Sequence, residues 1–134
     1  MACLVDSSVW VALFLDFDTQ HQKAVRTIQG VSGPIMMPYC VIAEVTAILA
    51  YKHSKPLADN FIAYIRDNRD IEVIHNDARD EMGFYISIPH KISFVDAALI
   101  FLSRKLNARL ITFDKQLERI AKMPDTILSY QHRK

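Results

Sequence analysis

The chain has 134 residues, 51% of them hydrophobic, and sets 16 Lys and Arg against 15 Asp and Glu. That length suits one core and is short for two, and the composition excludes a disordered polyelectrolyte. Charge so nearly balanced excludes a global field for collecting nucleic acid, so any such affinity must come from local patches.

The chain opens on "CLV" (3–5), a short run suited to a fully buried strand. Ser7 or Ser8 is placed to cap a helix running through Trp10 to Leu15. The stretch from Leu4 to Leu15 contains Asp6, has no basic leader and is too short to span a bilayer. Cys3 and Cys40 make no CxxC pair and lie in apolar surroundings, which reads as buried thiols. A cytoplasmic protein with no membrane role is expected. A second helix covers about 19–29 and stops at Gly30. "PIMMP" (34–38) reads as a brief strand between prolines, and 40–52 as a helix with Val41, Val45, Ile48, Leu49 and Lys52 at helical spacing. Another helix follows over 55–69, with Pro56 in its first turn.

"IEVIH" (71–75) is a third strand, and the helix in "DARDEMGFYISI" is broken by Pro89. "SFVDAALIFLSRKL" (93–106) is apolar nearly all round, hence a buried helix. "ARLIT" makes a fourth strand, "TILSY" (126–130) a candidate fifth, and "QHRK" a loose tail. Strands alternating with helices predict an α/β sandwich on a mostly parallel sheet of four or five strands. No repeat or low-complexity tract interrupts it.

The acids are the informative residues. Asp6 and Asp114 each stand just past the end of a predicted strand, at the edge where open α/β sheets bind ligands. Both can also be read as helix caps, and Asp96 as the acid of a capping box begun by Ser93. Glu44 fits no cap: it is a lone charge among apolar neighbours in "YCVIAEVTAILAY", with a solvent-facing helix position as the plain alternative. Four carboxylates converging at a core edge repel one another, and a divalent cation removes that cost. Oxygen-only donors without a His or Cys cluster suit Mg²⁺ or Mn²⁺ over zinc.

"LVDSSVWVALFL", "MPYCVIAEVTAIL" and "ISFVDAALIFLSRKLNARLITFDKQLERI", in that order, resemble the PIN-domain nucleases, and most closely the VapC-type toxins of toxin–antitoxin pairs. The resemblance implies a single three-layer α/β/α domain over 1–134 that cleaves RNA with Mg²⁺. It also implies a metal-binding set of Asp6, Glu44, Asp96 and Asp114, with Thr112 as the site's hydroxyl and Ser7 as a weaker candidate. Its partners would be an RNA substrate and a cognate antitoxin. The helices at 8–15, 40–52 and 55–69 carry more apolar residues than one face needs, among them Trp10, Phe14, Phe17, Phe61 and Tyr64. Core packing is the plain alternative for most, and some are expected to line a groove for an amphipathic antitoxin segment. A homodimer is also expected.

Lys52, His53, Lys55, Arg104, Lys105 and Lys115 are candidates to border the cleft and hold RNA phosphates, with solvated helix ends as the plain alternative. The three glycines form no phosphate-cradling loop, and the histidines lack metal-ligand spacing. Two other functions stay open: a phospho-accepting signalling domain with a Mg²⁺-binding acid cluster, and a non-catalytic RNA-binding module. The first lacks the adjacent paired acids it would need.

Overall fold

The computed structural model describes residues 1–75 and 78–124. Its strands are β1 (Cys3–Val5), β2 (Ile35–Pro38), β3 (Ile71–Ile74) and β4 (Arg109–Ile111). They form one sheet of order β3-β2-β1-β4, in which every pairing is parallel. Cys3 lies opposite Ile35 on one side and Arg109 on the other, while Ile35 lies opposite Ile71. All three residues of β1 are buried, as a short apolar run in the sheet interior must be. On the edge strand β3, Glu72 and Val73 are exposed, and the charge helps keep that edge from pairing with another chain.

Between the strands run α1 (Ser7–Phe14), α2 (His21–Gln29), α3 (Tyr39–Lys52), α4 (Lys55–Asp67), α5 (Ala78–Ser87) and α6 (Phe94–Lys105). α7 (Lys115–Ala121) follows β4. The chain lays down β1, β2 and β3 in one direction, then returns to place β4 on the far side of β1. Right-handed crossovers therefore put α1–α4 on one face and α5 and α6 on the other, giving three layers. The same reversal makes the carboxyl end of β1 the switch point of the sheet, where its neighbours depart to opposite faces and leave a crevice.

The core explains several sequence features. Four consecutive residues of α6, Ala97 to Ile100, are buried, which is why that helix reads as apolar all round. Trp10 and Phe61 are fully buried, and Trp10 Nε1 donates to the Val5 carbonyl at 3.1 Å, satisfying the indole. Phe14 stands edge-on to Phe61 and Tyr64, and Trp10 does the same. Core packing therefore absorbs Trp10 and Phe61, two of the aromatics expected to spare a groove. An exposed apolar groove lies along α3 and α4, two of the helices with apolar residues to spare, and is a cavity of about 610 Å³ lined by Tyr39, Ile42, Ala47, Ala50, Tyr51 and Ile62 among others. Phe17, at 69% exposed, tilts against His53.

Element boundaries move for local reasons. α2 begins at His21, two residues after the sequence suggests, because the Asp18 carboxylate accepts the Gln20 N–H at 2.7 Å and holds the preceding turn. Pro56 stands in the first turn of α4 as the sequence suggests, and Ser54 caps that helix by accepting from Leu57 N. The candidate strand at 126–130 and the tail at 131–134 lie outside the described residues.

Candidate active site

Asp6, Glu44, Asp96 and Asp114 come from four separate segments and border one cavity of about 350 Å³ at the carboxyl edge of the sheet. Each arrives by a different local rule. Asp6 is the residue after β1, and Glu44 lies in the second turn of α3, which follows β2 directly. Asp96 is in the first turn of α6, a helix that runs from this edge toward the amino ends of the strands. Asp114 stands between β4 and α7. Ser7, Ser8 and Ser93 complete the polar wall, with Val11 and Ile48 as its apolar part.

The capping readings separate cleanly. Asp114 does cap α7, its Oδ1 accepting from Gln116 N at 2.9 Å and Leu117 N at 3.2 Å. Ser93 caps α6 through Asp96 N at 3.0 Å, as the "SFVD" box predicts. Asp6 occupies the N-cap position of α1 but makes no side-chain capping bond, and neither Ser7 nor Ser8 is the cap. Its carboxylate, 4% exposed, instead takes two hydroxyl donors on the same oxygen: Ser8 Oγ and Thr112 Oγ1 each donate to Oδ2 at 2.8 Å. A carboxylate that gives up its capping bond and is held by one oxygen leaves the other free to act.

Those hydroxyls are themselves fixed. Thr112 Oγ1 accepts from Asp114 N at 2.9 Å, and Ser8 Oγ accepts from Phe113 N at 3.1 Å. The β1–α1 junction and the β4–α7 junction are thus tied together around Asp6. Ser7 Oγ donates to Glu44 Oε1, so the lone acid of α3 is half-buried and engaged, not a plain solvent-facing position. Ser8 is the site residue that sequence reasoning missed. Its spacing two residues after an acid at a helix start was a usable signal for the bond to Asp6, but its acceptance from Phe113 links positions far apart in the chain.

Electrostatics set Asp96 apart. Burial, followed by the charges of Asp6, Asp114 and Glu44, pushes its carboxyl up to about 6. Among the described residues, no three His, Cys, Asp or Glu side chains are gathered closely enough to enclose a metal ion as they stand. The donor set is nevertheless all oxygen, and the raised Asp96 records the like-charge cost that a hard divalent cation would offset. On α3, burial and then the charge of Glu81 push the thiol of the partly buried Cys40 up to about 11.

The basic candidates differ in availability. Arg104 donates to the Ala121 carbonyl at 3.0 Å and the Met123 carbonyl at 2.7 Å, closing the end of α7, so its guanidinium is already committed to structure. Lys105 lies over the Phe101 ring, and Lys55 pairs with Asp59. Lys52, His53 and Lys115 are exposed. None of the six candidates lines the carboxylate cavity. Lys23 on α2, which nothing in the sequence singled out, stands 4.7 Å from the centroid of the Phe113 ring, between Thr112 and Asp114 in the chain.

A parallel sheet with this strand order, and acids from four segments at its switch point, define the class. Residues 3–123 match the model of the PIN domain, and the chain belongs to that family. Among solved structures it is similar to VapC20 of Mycobacterium tuberculosis, described as a Sarcin–Ricin loop cleaving toxin. The two are 25% identical, with a TM-score of 0.79 over 88% of this chain and 94% of that one. PAE2754 from Pyrobaculum aerophilum has the same fold, at 19% identity and a TM-score of 0.59 over 100% of both chains. No curated protein matches the sequence. Among the described residues no helix is long and apolar enough to cross a membrane.

Proposed function

We propose that this chain is a Mg²⁺-dependent endoribonuclease, a single PIN-like domain over 1–134, and the toxin of a type II toxin–antitoxin pair. One observation carries the reading: Asp6, Glu44, Asp96 and Asp114 border one cavity at the sheet's switch point, with Asp6 withdrawn from capping and pinned through one oxygen. That fits a carboxylate kept for ligation. The likeness to VapC20 supports the toxin assignment.

The four acids would hold the cation, Mg²⁺ or alternatively Mn²⁺. Bound there, it supplies charge neutralisation at the phosphodiester and a lowered pKa for a coordinated water. The chain's own residues do the rest. Ser8 and Thr112 fix the Asp6 carboxylate, and Ser7 holds Glu44 in its rotamer. Asp96 or Asp114 would take the proton of the attacking water as its oxygen bonds to phosphorus, and the leaving oxygen would take a proton from solvent as its own bond to phosphorus breaks. The apolar groove on α3 and α4 offers an amphipathic antitoxin segment a surface for its apolar side chains, with Tyr39 and Tyr51 exposed at 63% and 90%. A homodimer remains part of the proposal.

The test is incubation of the purified chain with total RNA and Mg²⁺, with and without chelator. Discrete fragments that vanish on chelation are expected. Shifted RNA with no cleavage at any divalent-ion concentration would replace this reading with a binding module. A stable acyl-phosphate formed from a small phosphodonor would replace it with a signalling domain.

A further inference from the structure

A cavity walled by acids is a poor place for a polyanion, and this chain carries almost no net charge to overcome that. RNA held there needs cations placed along the strand on either side of the cut. Of the cations suggested by sequence, Arg104 is bound to carbonyls of the α7 end and Lys55 is paired with Asp59, while Lys105 is braced on Phe101 of α6 and Lys52, His53 and Lys115 stay exposed. Lys23 is different. Its ammonium lies over Phe113, whose N–H is donated to Ser8 and whose chain neighbours are Thr112 and Asp114. The side chain is therefore located by a ring that belongs to the site's own framework, while the residue stays exposed. Among the described residues it has no carboxylate partner. A cation over an aromatic face keeps its charge and can still meet an anion on its outer side.

We infer that Lys23, braced on Phe113 in the β4–α7 junction that carries Asp114 to the carboxylate cavity, is a contact for a backbone phosphate flanking the scissile bond of the RNA. The inference rests on the ribonuclease reading above. In this role Lys23 is a substrate-positioning residue that reads no base, so its effect is uniform across sequences. The ring limits the side chain's freedom, lowering the ordering entropy lost when the phosphate arrives.

The experiment begins with a short 5′-labelled single-stranded RNA containing a site that the wild-type chain cuts. Binding is followed by fluorescence anisotropy in Mg²⁺ with the Asp6→Asn chain, with and without Lys23→Gln or Lys23→Arg, over a potassium chloride series. Lys23→Gln is expected to weaken binding several-fold and to make the slope of log affinity against log salt shallower by about 0.7, the signature of one lost phosphate contact on a single strand. Lys23→Arg is expected to keep both. In the otherwise wild-type enzyme, Lys23→Gln should raise KM and leave kcat unchanged. If Lys23→Gln lowers the melting temperature while the salt slope stays put, the Phe113 contact is packing alone and the inference falls, with the ribonuclease reading intact. If the wild-type chain neither binds nor cuts RNA, both fall together.

Discussion

The two ends of the sheet each carry a cavity, and the larger one is not where the chemistry gathers. At the amino end, about 410 Å³ is enclosed by Ile28, Val31, Pro34, Ile35, Tyr64, Asn68, Arg69, Asp70 and their neighbours. At the carboxyl end the cavity is about 350 Å³. The amino-end hollow forms where α2 and α4 finish and β2 and β3 begin, so helix-end, loop and strand-start residues wall it and it carries one charge of each sign, Arg69 and Asp70. The carboxyl-end cavity collects four like charges from four segments, none opposed by a Lys or Arg in its lining. Volume follows from how helices splay at a sheet edge. Convergent charge does not arise that way: together with burial, the larger cause, it raises the Asp96 carboxyl to about 6 and so weighs against the apo fold.

The sharpest way to break this contrast is to disarm each end in turn. Asp6→Asn or Asp96→Asn is expected to abolish RNA cleavage, a loss of at least ~10²–10³-fold, since each removes a charge from the cation's environment. Arg69→Ala and Asp70→Asn, at the amino-end hollow and outside the carboxylate cavity, are expected to leave kcat/KM within about twofold of wild type, because surface changes away from the site rarely reach it. Cleavage assays on all four variants decide the matter. Retained Mg²⁺-dependent activity in both carboxyl-end variants would show that the acids are not the metal site.

A smaller effect probes how the carboxyl end is held rather than what it holds. Ser8→Ala and Thr112→Ala each remove one of the two hydroxyls on Asp6 Oδ2. Residues that orient a metal ligand are worth roughly 10–100-fold in metal affinity. Each variant is therefore expected to need at least ~10-fold more Mg²⁺ for half-maximal rate, with near-wild-type rate restored at saturating metal. Calorimetric titration of the metal gives a readout that does not depend on turnover. Because Ser8 also receives Phe113 N and Thr112 receives Asp114 N, the double variant should fall short of the product of the two single effects. Additive losses would mean that the two junctions hold Asp6 independently.

What could be read from sequence follows the same division. Elements defined by local periodicity or short apolar runs, such as β1, α3 and α6, were legible because their burial pattern is local. The acids were legible as outliers: Glu44 breaks an apolar helix, and Asp6 and Asp114 close strands. Their roles were not. "DSS" and "TFD" both read as cap signals, yet only Asp114 caps: the Asp6 carboxylate is taken by Ser8 from its own segment and by Thr112, which reaches it across the β1–β4 pairing. Arg104 had the composition of a phosphate contact and is spent on the carbonyls of α7, while Lys23 became visible only through a ring 90 positions away in the chain. Long-range pairing decides such assignments, and a single sequence does not print it.

The smallest effect concerns the stability cost that separates the two ends. An acid whose carboxyl is raised in the folded state binds more protons folded than unfolded between its ordinary value of 3.8 and about 6. Stability from this group is therefore greatest below that window and declines as pH rises through it, the reverse of a salt-bridged carboxylate. A rise of that size would correspond to ~3 kcal/mol if fully expressed, and solvent screening of a half-exposed group reduces that to about 1 kcal/mol. Asp96→Asn is accordingly expected to be more stable than wild type by about 1 kcal/mol at pH 7, with the difference vanishing near pH 4. Urea unfolding in chelator at a series of pH values measures it. Mg²⁺ should reverse the order at neutral pH, because a ligand bound only by the folded state stabilises the chain that binds it, and the variant binds it poorly. A gap that persists at pH 4, or a Mg²⁺-induced gain equal in both chains, would place the origin of the difference in packing around α6 rather than in crowded charge, and the contrast between the two ends of the sheet would lose its energetic basis.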